Sequence, residues 1–163
     1  MSYGEEGGSD VGFETLQGRN WPTVTQFSVF LENRVGQLLE VVRHFRGSKV
    51  KIVGLSISDS ADCSIIRMIL SHPEQGREIL NLAHLPYVEN ELVLVELPLG
   101  PQSLVEMCTA LLQAEINIHY SYPILIHPAG RPAVVLHIDN VEQAGVVLHS
   151  EGFEILSEAD LKG

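Results

Sequence analysis

The chain repeats itself. Leu38, Ile52 and Leu80 find counterparts in Leu104, Ile118 and Leu148, at offsets of about 66 to 68 positions. Each copy reads in the same order: strand, helix, two strands joined by a turn, helix, strand. That β-α-β-β-α-β order is the split βαβ arrangement of ferredoxin-like folds. Two such units in tandem, almost without linker, are the architecture the repeat implies; one larger domain is the other reading. The fold class is therefore α+β, with antiparallel sheets carrying helices on one face. The divisions are an acidic tail over residues 1–22, a first unit over 23–90 and a second over 91–163.

Within the first copy, residues 24–31 form a β-rich apolar run, and residues 35–45 place Leu38, Leu39, Val42 and Phe45 at helical spacing. Residues 49–58 and 63–70 read as a hairpin around the polar turn 59–62. Pro73 suits the first turn of a helix bearing Ile79, Leu80, Leu82 and Ala83, and a fourth strand begins near Tyr87. In the second copy residues 91–97 form a strand, followed by a helix with Leu104, Met107, Cys108, Leu111 and Leu112. Residues 117–126 and 133–138 form the second hairpin. Asn140 is a good N-cap with Gln143 at the capping-box position, and residues 153–156 close the set.

Charge narrows the partners. A formal net charge of −11 on 163 residues argues against nucleic acid, whose phosphates demand a basic surface. No apolar run is long enough to span a bilayer, and the N-terminus has no basic region followed by an apolar one, so neither a membrane nor a secretory route is expected. Cys63 and Cys108 sit in apolar contexts and read as buried thiols of a reducing cytoplasm. The tail, punctuated by glycines and acids, buries too little to offset its ordering entropy, although Phe13, Leu16 and Trp21 are candidates to dock.

The stretch with most chemical content is residues 27–38, a strand entering a helix through Glu32, Asn33, Arg34, Val35, Gly36, Gln37 and Leu38. Gly36 permits close backbone approach where the helix begins, and a helix N-terminus offers unpaired N–H groups to an anion. A tight strand-to-helix turn explains the same residues without any ligand.

Residues 27–38, with their Glu-Asn-Arg-x-Gly-x-Leu core, resemble the first strand-to-helix junction of ACT domains. Ala114-Glu-Ile-Asn-Ile118 and Glu151-Gly-Phe-Glu-Ile155 resemble later landmarks of that family, and the likeness spans residues 24–161. It is similar to stand-alone tandem ACT proteins of bacteria. The resemblance implies binding of a small ligand, most often an amino acid, and side-by-side pairing of sheets. The loop is similar to that of the serine-sensing domain of phosphoglycerate dehydrogenases, whose effector meets an Asn in the loop and an Asn starting the second strand. These correspond to Asn33 and, in copy two, to Asn117. Copy one has Lys51 in place of the second Asn, and copy two has Leu99 and Gln102 in its loop. The resemblance thus implies one competent site, with its mirror image degraded. Val35 and Leu31 replace a Pro and a His of the serine sensors, which puts serine itself in doubt.

Asn33 and Asn117 each carry a donor and an acceptor, matching an ammonium and a carboxylate together. Asn117 is equally explained as a strand-start residue bonding backbone groups. Ser56, Ser58 and Asp59 line the same cleft or simply end a polar hairpin. Arg67 lies in an apolar strand and needs either a carboxylate or a solvated sheet face. Catalysis is not expected: there is no nucleophile elbow, phosphate loop or activated thiol. No cofactor is implied. His119 and His137 fall on strands that should pair, but a metal needs three or four ligands. Two functions remain: an amino-acid sensor, or an interaction module whose ligand site is vestigial. Open strand edges after tandem packing suggest a two-fold homodimer.

Overall fold

The computed structural model describes residues 21–162, so the expected tail lies outside it except for its last two residues. The first unit contains β1 (Val24–Glu32), α1 (Gln37–Arg43), β2 (Ile52–Asp59), β3 (Cys63–Leu70) and α2 (Pro73–Leu82). β4 (Tyr87–Glu96) follows. The second unit continues with α3 (Ser103–Gln113), β5 (Ile118–Pro123), β6 (Ala133–Ile138), α4 (Val141–Ser150), the short β7 (Ile155–Leu156) and a 3₁₀ turn, Glu158–Leu161. Ile52 and Ile118, matched by the repeat, each open the second strand of their unit. Leu80 and Leu148 are both fully buried beneath their helices.

The two strands expected near residue 87 and over 91–97 are one. β4 pairs antiparallel with β1 over its first part, Tyr87 to Leu92, and with β6 over Val93 to Glu96. It is the last strand of the first unit and the first strand of the second. The expected division after residue 90 falls inside it.

The sheet order is β2-β3-β1-β4-β6-β5, with β7 beside β4. Its outer strands do not stay apart. Gly54 bridges Ile124, and the Leu125 N–H donates to the Val53 carbonyl at 2.7 Å. These contacts join β2 to β5 and bend the sheet into a ring. The outer edges expected to be open thus meet at one point, while the rest of β2 and β5 has no strand on its outer side. Gly54 is required at the seam, because a Cβ there would lie 2.9 Å from Ile69 Cγ1.

Strand alternation then divides the core into three. Phe27, Val29, Ile66 and Met68 face outward beneath α1 and α2, with Val41 and Leu80. Val93, Val95 and Leu136 face outward beneath α3 and α4, with Leu111 and Leu148. Between the sheets lie Val24, Val53, Ile69, Leu92, Leu94 and Val135. Helix α1 is shorter than its apolar pattern predicts, because Gly36 enters in the left-handed region (φ 85°) and His44 onward turns irregular. Val41, not Leu39, is its buried residue; Leu39 and, on α2, Leu82 face solvent. The cysteine reading is also corrected: Cys63 is half-buried and Cys108 exposed, and neither is in a disulfide. Asn140 caps α4 as expected, accepting from the Gln143 N–H at 3.0 Å. The Gln143 side chain does not complete the box but donates to the Ala114 carbonyl. No helix among the described residues is long and apolar enough to cross a membrane.

Trp21 packs on the second unit. Its indole lies against Gly145 of α4 so closely that a Cβ on that glycine would come within 2.3 Å of it, and its ring is 5.0 Å from that of His149. Gly145→Leu is expected to expel the chain's only tryptophan. The check is a red-shifted emission spectrum with far-ultraviolet circular dichroism unchanged; an unshifted spectrum would contradict this docking.

Candidate ligand site between the two units

At one end the space between the sheets carries a buried polar cluster. β1 turns Gln26 and Ser28 inward, on the face opposite Phe27 and Val29. Gln26 is fully buried, and such an amide must be bonded on both of its ends. Its Nε2 donates to Tyr120 Oη at 2.7 Å and to Ser28 Oγ at 3.3 Å, and its Oε1 accepts from Tyr122 Oη at 2.7 Å. These bonds cross from β1 to β5, so a buried polar link joins the two units. Burial pushes the Tyr122 phenol well above the usual tyrosine range, which keeps it a neutral donor.

Arg67 of β3, opposite Ser28, reaches the same end. Its guanidinium carbon stands 4.2 Å from the Tyr120 ring centroid, and Nη1 donates to Ser58 Oγ at 2.9 Å. Tyr120 stacks on His137 at 4.7 Å between centroids, and His137 lies 5.1 Å from His119, which bonds Asp139. Burial, reinforced by His119 and Arg67, pushes the His137 imidazole below the usual histidine range. Its Nδ1 is buried and has no hydrogen-bond partner. Arg67 has no carboxylate partner among the described residues. A solvated sheet face does not describe it: it is half-buried between the units.

The sequence-predicted residues lie beyond this cluster, toward the same end of the strands. Asn33 follows Gln26 along β1, and Asn117 precedes Tyr120 along β5. Because β1, β4, β6 and β5 are successively antiparallel, both asparagines leave the interior at the same end, from opposite walls of the ring. Both are exposed, and no hydrogen bond joins them. The loop instead grips the hairpin of its own unit. Asn33 Nδ2 donates to the Ser60 carbonyl at 3.2 Å, and Gln37 Nε2 to Ser64 Oγ at 2.6 Å. Ser64 in turn bonds Asp59, and Arg34 pairs with Glu40. Glu32 ends β1 opposite Cys63, Val35 is fully exposed, and Leu38 packs at the margin of the first helical core. Gly36 precedes α1 with no side-chain cap. Gln26, Tyr120 and Tyr122 were missed by sequence reasoning, and His137 was noted only for its pairing with His119. The signal was the inward phase of β1, where polar Gln26 and Ser28 alternate with apolar neighbours.

The imidazole pair acquires no further ligand: among the described residues no group of three or more His, Cys, Asp or Glu side chains is arranged to hold a metal ion. The mouth offers one guanidinium fork, two phenols and neutral imidazole. Such a set binds and orients a small polar molecule.

The class is that of paired ferredoxin-like modules folded about a common strand, with a polar mouth between them. More narrowly, the chain belongs to the family of ACT domain pairs, which matches it over residues 22–163. Protein BT0572 from Bacteroides thetaiotaomicron has a similar solved structure, with 26% identity, a TM-score of 0.77, and 86% of this chain and 96% of that one covered. The ligand-free regulatory subunit of aspartate kinase from Thermus thermophilus is similar in fold at 14% identity and a TM-score of 0.56, covering 79% and 90% of the two chains. The corresponding subunit from Thermus flavus, at 11% identity and a TM-score of 0.53, covers 80% and 93%. No curated protein matches the chain significantly.

Proposed function

We propose that this chain is a non-catalytic cytoplasmic regulatory protein that binds a small carboxylate-bearing ligand, an amino acid first among candidates, at the mouth between its two ACT units. The observation that carries this reading is Arg67, a half-buried guanidinium stacked on Tyr120 with no carboxylate partner among the described residues. An arginine fork fits a carboxylate in two parallel hydrogen bonds, and partial burial strengthens them. The loop of Glu32, Asn33, Arg34, Val35, Gly36, Gln37 and Leu38 would close over the ligand from one wall, and Asn117 would reach it from the other. Helix α1 has only seven residues and a correspondingly weak dipole, so the charge recognition falls mainly to Arg67. The family supports the regulatory role, as does the likeness in fold to regulatory subunits of aspartate kinase. Ligand binding would regulate by favouring one of two assembly states, the simplest assembly being a homodimer.

The test is a thermal-shift screen against the common amino acids. A ligand that binds only the folded chain raises the melting temperature by mass action. One or two amino acids should give a shift that is abolished in Arg67→Met and reduced in Asn33→Ala. A flat panel would end this reading. Gly36 is a poor probe, because any side chain at its positive φ carries backbone strain of about 1 kcal/mol or more.

A second reading, an interaction module with a vestigial ligand site, is favoured by the outer face of α3. Leu104, Val105 and Leu112 are exposed there at 53%, 60% and 75%, forming a shallow apolar groove with Cys108.

A further inference from the structure

We propose that the end of the intersheet space remote from Arg67 is a second site, built for a phosphate-bearing small molecule. The chain has only three lysines, Lys49, Lys51 and Lys162, against a formal net charge of −11. All three line two adjoining cavities, with Lys162 common to both. The larger, about 530 Å³, lies between the entry to β2, the β5–β6 connection at His127 and the C-terminal 3₁₀ turn. That volume suits a small metabolite. The smaller, about 380 Å³, opens on the N-terminus of α2.

Three features bear on anion binding here; in the larger cavity Lys51 and Lys162 outnumber one acid, Asp160, whereas in the smaller Lys49 and Lys162 are matched by Glu74 and Glu158. The ammonium groups have no carboxylate partner among the described residues. Two of the nearby acids keep their charge but are oriented by hydrogen bonds: Asp160 accepts from the Ser157 N–H at 2.7 Å, and Glu158 from the N–H and hydroxyl of Thr25 at 2.9 and 2.8 Å. Glu74, the remaining acid of the smaller cavity, sits in the first turn of α2. Second, the ten-residue α2 has no side-chain cap at His72; Pro73 brings no N–H, so the N–H groups of Glu74 and Gln75 are the ones open to an anion. Third, burial first, and then the fields of Lys49, Lys162 and Lys51, hold the His72 imidazole below the usual histidine range, so the lysine charges are felt at the start of α2.

The donor chemistry separates this end from the other. Arg67 presents a planar fork, matched to a carboxylate. Lysines are compact point charges with rotatable donors, which suit the several oxygens of a tetrahedral phosphate. One chain would thus hold two cationic recognition sites of different donor geometry, at opposite ends of one interior.

Titration calorimetry with pyrophosphate, at constant ionic strength, tests this, with citrate as the polycarboxylate comparison. Pyrophosphate should bind measurably below about 10 mM. Lys51→Met and Lys162→Met should each weaken it by at least about tenfold, Lys51→Arg should keep most of the affinity, and Arg67→Met should leave it unchanged. All three lysines are exposed, so these variants should melt like the parent without ligand. Absence of binding, equal affinity in the methionine variants, or citrate binding as tightly as pyrophosphate would each overturn the assignment. Loss of binding in Arg67→Met alone would place pyrophosphate at the first mouth and overturn it as well.

Discussion

Replacing Leu94 with alanine is expected to destabilise the whole chain by about 2–5 kcal/mol, in a single unfolding transition. Leu94 is fully buried between the sheets, and its backbone pairs with Leu156 on one side of β4 and Val135 on the other. The deletion leaves a cavity lined by residues of both units, including Val24 and Ile69 of the first. With a common strand and a common core, neither unit can lose packing alone. Urea unfolding followed by circular dichroism and by Trp21 fluorescence checks both parts. Two separated transitions, or a loss confined to one probe, would show that the units are thermodynamically independent.

The second large effect is expected at Gln26. Gln26→Leu keeps the volume roughly but strips a partner from the buried Tyr122 phenol and from the half-buried Tyr120 phenol. The Tyr122 hydroxyl loses its acceptor and the Tyr120 hydroxyl its donor. Each unsatisfied buried group costs about 1–3 kcal/mol, and water can partly satisfy the half-buried Tyr120 hydroxyl, so a total loss of about 2–4 kcal/mol is expected. The cost comes from the orphaned groups rather than from the lost bonds. The double variant Gln26→Leu, Tyr122→Phe should therefore recover part of the stability, and an additive further loss would contradict this account. The ligand binding proposed at Arg67 should also weaken, since Tyr120 loses the bond that orients its ring under the guanidinium.

Much of this architecture was legible from periodicity. β3 and β6 fall where alternation and flanking turns put them, because each is bounded by polar turn residues, Ser60 and Asp62 for one and Arg131 and Pro132 for the other. The helix order, the Pro73 start and the Asn140 cap follow from local chemistry. What escaped was long-range. Nothing local tells that Tyr87 and Glu96 end one strand rather than two, because partner exchange from β1 to β6 happens across the sheet. Ring closure at Gly54 was equally hidden, since it needs a bulge in β2 and a bridge to Ile124 far along the chain.

The candidate site shows the same division. Asn33 and Gly36 stand out locally, as turn-forming residues do, and the structure gives Asn33 a bond to its own hairpin. Arg67 was noticed as an anomaly in an apolar strand, yet its neighbours Tyr120 and His137 lie on strands of the other unit. A tyrosine or histidine inside a strand looks ordinary until the facing sheet is known. Cys108 misled for the opposite reason: an apolar helix context reads as burial, whereas the outer face of α3 is apolar and exposed.

The continuous β4 has a mechanical consequence. Ten residues of extended chain make a rod roughly 33 Å long that is woven into both halves. A hinge needs a segment that absorbs a change of dihedral angle, and a strand hydrogen-bonded along its length offers little of that freedom. A tilt imposed on one half by an occupied mouth would therefore travel as a rotation of the rod, and the other half would have to turn with it. For the same reason the two copies cannot be excised as modules: a chain severed at residue 90 leaves each half with part of a strand and an unfinished sheet.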